Sequence, residues 1–116
     1  DYAWQQPDVF FRKMPRSVLQ SNWYYGSEFD LKKLKNPQYI KLYNDLEAYG
    51  YDQVPTGSNH SVPENFERTV DYCRKVIDPS RLVGFMTAAW RPTLPQCLDR
   101  HKEAISQVIS GMKRFK

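Results

Sequence analysis

Residues 17–26 read SVLQSNWYYG, and this stretch decides the fold that we predict for the chain. It begins with the pattern of a buried β-strand and ends in Trp23, Tyr24 and Tyr25, immediately before Gly26. Further strands are predicted at 51–56 and 82–89. Each of the three is followed by a polar loop and then by a helix, which indicates parallel strands joined by helical crossovers.

Three helices are predicted from the residues that start and stop them. Asn36-Pro37 is predicted to begin a helix that ends at Gly50. Residues 61–64, SVPE, and 93–96, TLPQ, both fit the capping box that precedes a helix. A shorter helix is predicted at 7–14, so the expected order is α-β-α-β-α-β-α.

The spacing of the strands points to a barrel. The predicted strands begin near residues 17, 51 and 82, and a (β/α)8 barrel of about 250 residues repeats every 31 residues or so. An open doubly wound sheet has similar spacing, but no glycine-rich phosphate loop follows any of the strands. The predicted fold class is therefore α/β, namely the last three βα units of a (β/α)8 barrel.

Three parallel strands cannot close a barrel, and a parallel sheet needs both faces covered. We therefore expect residues 1–116 to be a single segment, the C-terminal portion of a larger barrel. It would be a fragment or one chain of a nicked molecule, with the missing N-terminal remainder of the barrel as its partner. Residues 1–4, DYAW, are then expected to end the preceding strand.

Composition excludes several classes of function. The 17 Lys and Arg residues against 13 Asp and Glu give a net charge of +4, and these charges are scattered along the chain, so no nucleic-acid partner is expected. No apolar run approaches the ~20 residues of a membrane helix, so no membrane partner is expected. Cys73 and Cys97 have neither C-x-x-C spacing nor paired histidines, and neither a metal nor a cofactor is expected.

Four short stretches resemble a known family: DYAW (1–4), LQSNWYYG (19–26), YDQVPTGSN (51–59) and GFMTAAW (84–90). They are similar to the last three βα units of bacterial glycoside hydrolase barrels, nearest to family 20, the β-N-acetylhexosaminidase type, and its uncharacterised relatives. The resemblance implies that aromatic residues on the late strands form the wall of a sugar pocket. It also implies an exported protein, periplasmic or extracellular, with a carbohydrate as its ligand.

The chain departs from that family in one respect. The family's catalytic Asp-Glu pair lies on an earlier strand, and no such pair stands at a strand end here. The resemblance implies a parent protein that hydrolyses glycosidic bonds with two carboxylates. Those catalytic residues would lie outside this segment, and whether the parent is an enzyme stays open.

Eight residues at or near strand ends are predicted to bind the sugar. Alternation along a strand places Trp23 and Tyr25 on one face and Tyr24 on the other, so at least one of the three rings belongs to the core. Asn59 also fits a role in a turn, and His60 also fits a solvated loop. The predicted set is Asp1, Trp4, Asn22, Trp23, Tyr25, Asn59, His60 and Trp90.

Two other functions fit the same pattern. One is a non-catalytic carbohydrate-binding protein on the same scaffold, with the same aromatic wall and no carboxylate pair close to it. The other is a small self-standing α/β domain that binds a protein partner. The apolar third strand argues against this last reading, because an exposed apolar edge strand promotes aggregation.

Overall fold

A computed structural model of the protein describes residues 5–115. Four α-helices and a two-stranded parallel sheet are present among these residues, with one short 3-10 turn. In chain order the elements are α1 (Pro7–Lys13), α2 (Gln38–Ala48), β1 (Thr56–Gly57), α3 (Asn65–Val76), β2 (Met86–Thr87), the 3-10 turn (Pro95–Cys97) and α4 (Leu98–Phe115).

The four predicted helices are confirmed, but both predicted capping boxes are wrong. Helix α3 begins at Asn65 with Glu64 in the N-cap position and has no side-chain cap. Residues 62–65 form a tight turn instead, because the Asn65 N–H donates to the Val62 carbonyl. The second box is replaced by the extended residue Leu94 and the 3-10 turn that follows it. In both places a local turn outcompetes the side-chain cap.

The three predicted strands appear as three parallel extended segments, which we call the first (20–23), second (53–57) and third (82–88) segments. They lie side by side in chain order, through the register pairs Gln20↔Gln53, Gln53↔Leu82, Trp23↔Thr56 and Thr56↔Met86. Only β1 and β2 form a regular ladder; the other pairs are isolated bridges. The segments are therefore shorter than predicted.

Two local features explain the short ladders. Pro55 has no N–H to donate and so interrupts the hydrogen bonding between the second and third segments. Three residue steps from Gln53 to Thr56 also face four steps from Leu82 to Met86, so the third segment contains one extra residue. Such an insertion is a β-bulge, which bends the strand and breaks its pairing.

The helices pack on one face of the three segments. Leu82 lies in a buried cluster with Ile40 and Tyr43 of α2 and with Cys73 of α3. On the same face, the ring of Phe85 contacts that of Phe115 of α4, with centroids 5.4 Å apart. A second cluster, formed by Phe11, Leu42, Leu46 and Tyr51, closes the end of the sheet where the second segment begins.

The opposite face carries the alternate residues of the segments. There the hydroxyls of Ser21 and Thr56 are 2.7 Å apart and share a hydrogen bond. Trp23 and Met86 pair in register with Thr56, one on each side, and each is about half exposed. We call this surface the helix-free face; within residues 5–115 no helix covers it.

Candidate functional site

Three aromatic rings meet on the helix-free face, where the first and third segments end. Ring centroids are 5.8 Å apart for Trp23 and Tyr25, 6.2 Å for Trp23 and Trp90, and 6.3 Å for Tyr25 and Trp90. We call these three residues the ring cluster. Trp23 is 53% exposed and Trp90 is 56% exposed, so much of each indole surface is open to a ligand.

Strand alternation and one unusual backbone angle produce this arrangement. Trp23 and Tyr25 are two residues apart and so point to the same side. Trp90 lies two residues beyond Ala88, whose N–H donates to the Gly57 carbonyl. Trp90 has φ of 51°, a left-handed conformation that costs about 1 kcal/mol or more in a residue with a side chain. Strain of this kind is found at binding and catalytic sites more often than elsewhere.

The phenol of Tyr25 is held in its neutral form. Burial raises its pKa above the ordinary value, and a side-chain hydrogen bond from Trp90 partly offsets the increase. The indole N–H is the donor in that bond, because it has no acceptor atom. No carboxylate is among the causes of this pKa shift. The cluster therefore offers flat apolar faces and a neutral hydroxyl.

The structure brings three of the eight predicted residues together, namely Trp23, Tyr25 and Trp90, and places Asn22, Asn59 and His60 elsewhere. Asn22 lies on the helix side, where its amide donates to the Tyr39 carbonyl over 3.0 Å. Tyr24 is also on that side, with its ring edge-on to Phe29. Asp1 and Trp4 lie outside the described residues, so their predicted roles stay predictions.

Asn59 and His60, in the loop after β1, differ sharply in exposure. Asn59 is 2% exposed, and its amide nitrogen donates to the Arg100 carbonyl over 2.9 Å and to Glu103 Oε2 over 2.6 Å. These bonds tie the loop to α4. His60 is exposed, and its backbone N–H donates to Ser58 Oγ over 2.9 Å. Asn59 thus has a structural role in the fold.

Sequence reasoning missed the residues that lie beside the ring cluster. Ser21, Thr56 and Met86 share the helix-free face with it and supply two hydroxyls and a thioether. Alternation from Trp23 would have identified Ser21, but the register that brings Thr56 and Met86 alongside depends on long-range pairing. The local sequence does not predict that register.

A groove of about 920 Å³ lies next to the ring cluster, along the free edge of the first segment. Helices α1 and α2 form its sides, through residues such as Phe10 and Leu42, and Trp23 contributes to its wall. Ser21 and Asn22 also line it. The accessible surface around Trp23 therefore extends beyond the three rings.

The part of the chain that the structure describes contains no cluster of side chains suited to ligate a metal ion. No group of three or more His, Cys, Asp or Glu side chains there is placed to hold a metal ion. Both Cys73 and Cys97 are free thiols, and Cys73 is buried. Of the helices in residues 5–115, none combines the length and the apolar character that crossing a membrane requires.

Comparison of the chain with protein-family models, with curated proteins and with solved structures found no match.

Proposed function

We propose that the ring cluster binds carbohydrate, and that the chain forms three consecutive βα units of a glycoside-hydrolase-like (β/α)8 barrel. The observation that carries this proposal is the meeting of Trp23, Tyr25 and Trp90 where parallel segments end. Active sites of such barrels lie at that end of the strands.

The chemistry of the rings suits a sugar. One face of a pyranose carries mainly C–H groups, which pack against an indole or phenol ring, while hydroxyls at its rim need hydrogen-bond partners. Tyr and Trp combine a large apolar face with a polar edge. Here the neutral Tyr25 hydroxyl and the hydroxyls of Ser21 and Thr56 are polar groups on the same face.

The placement of the helices supports the barrel. A doubly wound sheet has helices on both faces, whereas a barrel has them on the outside only. Helices α2, α3 and α4 all pack on one face, and the segments follow one another in chain order. In this proposal the remainder of the barrel closes over the helix-free face. The exported location that the family resemblance implies stays a prediction.

A calorimetric titration with the trimer of N-acetylglucosamine tests the proposal, with maltotriose as the comparison sugar. We expect saturable heat with the first sugar. We expect Trp23→Ala and Trp90→Ala to weaken binding at least tenfold each, because each removes one stacking surface (about 1.4 kcal/mol per tenfold). Tyr49→Ala is the matched control, because Tyr49 is similarly exposed and contacts Phe11 at the far end of the sheet. Equal losses in all three variants, or no heat at all, would contradict the proposal.

The alternative to hydrolysis is a non-catalytic carbohydrate-binding protein on the same scaffold. Hydrolysis needs two carboxyl groups about 5–10 Å apart across the sugar. In the catalytic version, both carboxylates come from the remainder of the barrel and face the ring cluster; in the non-catalytic version, that polypeptide has no such pair. Sequencing a polypeptide that co-purifies with the chain separates the two.

A further inference from the structure

Helix α4 carries an apolar stripe that faces solvent. The residues that form it are 50% to 60% exposed and follow one another at helical spacing, so they lie on a single face. We call this the α4 stripe; it consists of Leu98, Ile105, Ile109 and Met112. Ile105, Ile109 and Met112 are neighbours on consecutive turns, and Leu98 lies two turns before Ile105. Large apolar side chains left in water along one helix face are typical of a surface that binds a partner.

This stripe is not the face by which α4 is attached to the protein. Ala104 and Gly111 are buried, and a Cβ at Gly111 would lie 2.6 Å from a ring carbon of Phe66 in α3. The contact with α3 is therefore made by a different side of the helix. The α4 stripe points away from it.

A groove of about 410 Å³ runs between the stripe and the end of the third segment. Ala89, Ile105 and Ile109 are among the residues that line it. The segment's edge is also open there: the N–H groups of Met86 and Ala88 bond to the second segment, so the peptide groups of Thr87 point outward. An apolar side chain of a partner that packs on the stripe can enter this groove.

Two lysines lie beside the stripe, and one acidic residue, Asp99, lies next to Leu98 at its beginning. Lys102 lies one turn before Ile105, and Lys113 lies one turn after Ile109, both on the exposed side. Neither ammonium group forms an ion pair with any residue from 5 to 115. Two unpaired lysines flanking an apolar surface favour a partner with acidic groups at the matching positions.

We propose that the α4 stripe docks an amphipathic α-helix whose apolar face is flanked by Asp or Glu. The inference rests on the proposed function, which gives the chain a partner that completes the barrel. It adds the surface that the partner uses and the chemistry of the contact. Apolar residues of the partner helix pack on Ile105 and Ile109, and its carboxylates pair with Lys102 and Lys113.

A second copy of this chain is a poor occupant of the stripe. When Ile105 of one copy packs on Ile109 of another in antiparallel fashion, Lys102 of each lies close to Lys113 of the other. Like charges facing each other across an interface disfavour it. The same arrangement is favourable when the partner helix has glutamates where a second copy would have Lys102 and Lys113.

Two labelled helical peptides test the inference. Both carry leucines at the a and d positions of three heptads; one has glutamate at the flanking positions and the other has lysine. By fluorescence anisotropy in low salt, we expect the glutamate peptide to bind roughly tenfold more tightly. Ile105→Asp should weaken its binding at least tenfold, and Lys102→Glu with Lys113→Glu should reverse the preference. Lys32→Glu with Lys33→Glu is the matched control, which changes the net charge equally in a distant loop and should leave the preference intact.

The outcomes also separate this inference from the proposed function. Equal binding of both peptides overturns it, as does a dimer in sedimentation velocity that Ile105→Asp dissociates. The N-acetylglucosamine trimer is titrated into the same sample. Sugar binding without a peptide preference overturns the docking surface alone, whereas a peptide preference without sugar binding overturns the role of the ring cluster alone.

Discussion

Asn65 holds the backbone on both sides of Tyr25. Its amide nitrogen donates to the carbonyls of Tyr24 and Gly26, over 2.8 and 2.7 Å, and its amide oxygen accepts from the Ser58 N–H over 2.9 Å. The residue has no exposed surface. One side chain thus joins the ends of the first and second segments and fixes the place of Tyr25 in the ring cluster.

Asn65→Ala should lower the free energy of unfolding by about 2–4 kcal/mol, because one buried and two half-buried backbone groups lose their partner. Urea denaturation followed by circular dichroism measures the change. Asn44→Ala is the control, since the Asn44 amide donates one side-chain hydrogen bond, to the Tyr72 hydroxyl. Its loss should lower the free energy of unfolding by about 1 kcal/mol. Equal losses in the two variants would show that Asn65 does not clamp the segments.

The face on which a single side chain lies was predictable only where the local geometry of the strand determines it. Alternation correctly placed Trp23 and Tyr25 on one face, with Tyr24 opposite. The same rule groups Asn22 with Tyr24, yet its polar side chain suggested a ligand contact. The role of Asn65 was not predictable, because the carbonyls it binds lie 39 and 41 residues earlier in the chain.

At the scale of elements, β1 and α3 approach each other closely. A Cβ added to Gly57 would lie 2.8 Å from the Cα of Phe66, and that backbone atom cannot rotate away. Glycine at this position lets the helix lie directly on the strand. The second segment, and with it the middle of the helix-free face, is positioned by this contact.

Gly57→Ala should destabilise the protein by about 1–3 kcal/mol, the usual cost of overpacking. The matched control is Gly84→Ala, because a Cβ there has no heavy atom within 4 Å and no left-handed backbone to strain. Thermal unfolding of the two variants measures the difference. An unchanged midpoint for Gly57→Ala, or an equal drop for Gly84→Ala, would contradict the close approach.

The existence of the helices followed from apolar periodicity and from their stop signals, which are local. Their starting points did not, because the predicted caps competed with turns that only the folded chain makes. The parallel direction of the segments was predicted correctly, but only two of the three predicted strands form a sheet, and the first segment is joined to it by isolated bridges. Pro55 and the bulge in the third segment shorten the ladders. The bulge is visible only once two strands are in register.

At the scale of the whole molecule, the core contains titratable groups in their neutral form. Burial raises the pKa of the Cys73 thiol well above its ordinary 9.0 and that of Tyr43 well above 10.0. Desolvation also raises the pKa of Tyr24 and of Tyr72, less strongly. Ionising any of these groups inside the core is unfavourable.

Stability should therefore fall in alkaline solution. The unfolded chain releases these protons at ordinary pKa values, whereas the folded chain keeps them, so the stabilisation is complete below about pH 9 and is lost as pH rises. The buried groups of Cys73 and Tyr43 dominate the decline, and each contributes about 1.4 kcal/mol per pH unit while it is ionised only in the unfolded state. Urea midpoints at pH 8, 9, 10 and 11 measure the decline, and Cys73→Ala should delay its onset toward pH 10. A flat profile across this range would contradict the expectation.

The left-handed turn at Trp90 places one indole on two surfaces at once. Its ring belongs to the ring cluster, and the same residue lines the groove beside the α4 stripe. Under the two proposed binding roles, a sugar that reorients this ring also changes the wall against which a docked helix packs. Thermodynamic linkage then requires reciprocity: whatever factor the sugar imposes on the affinity for the helix, the helix imposes on the affinity for the sugar.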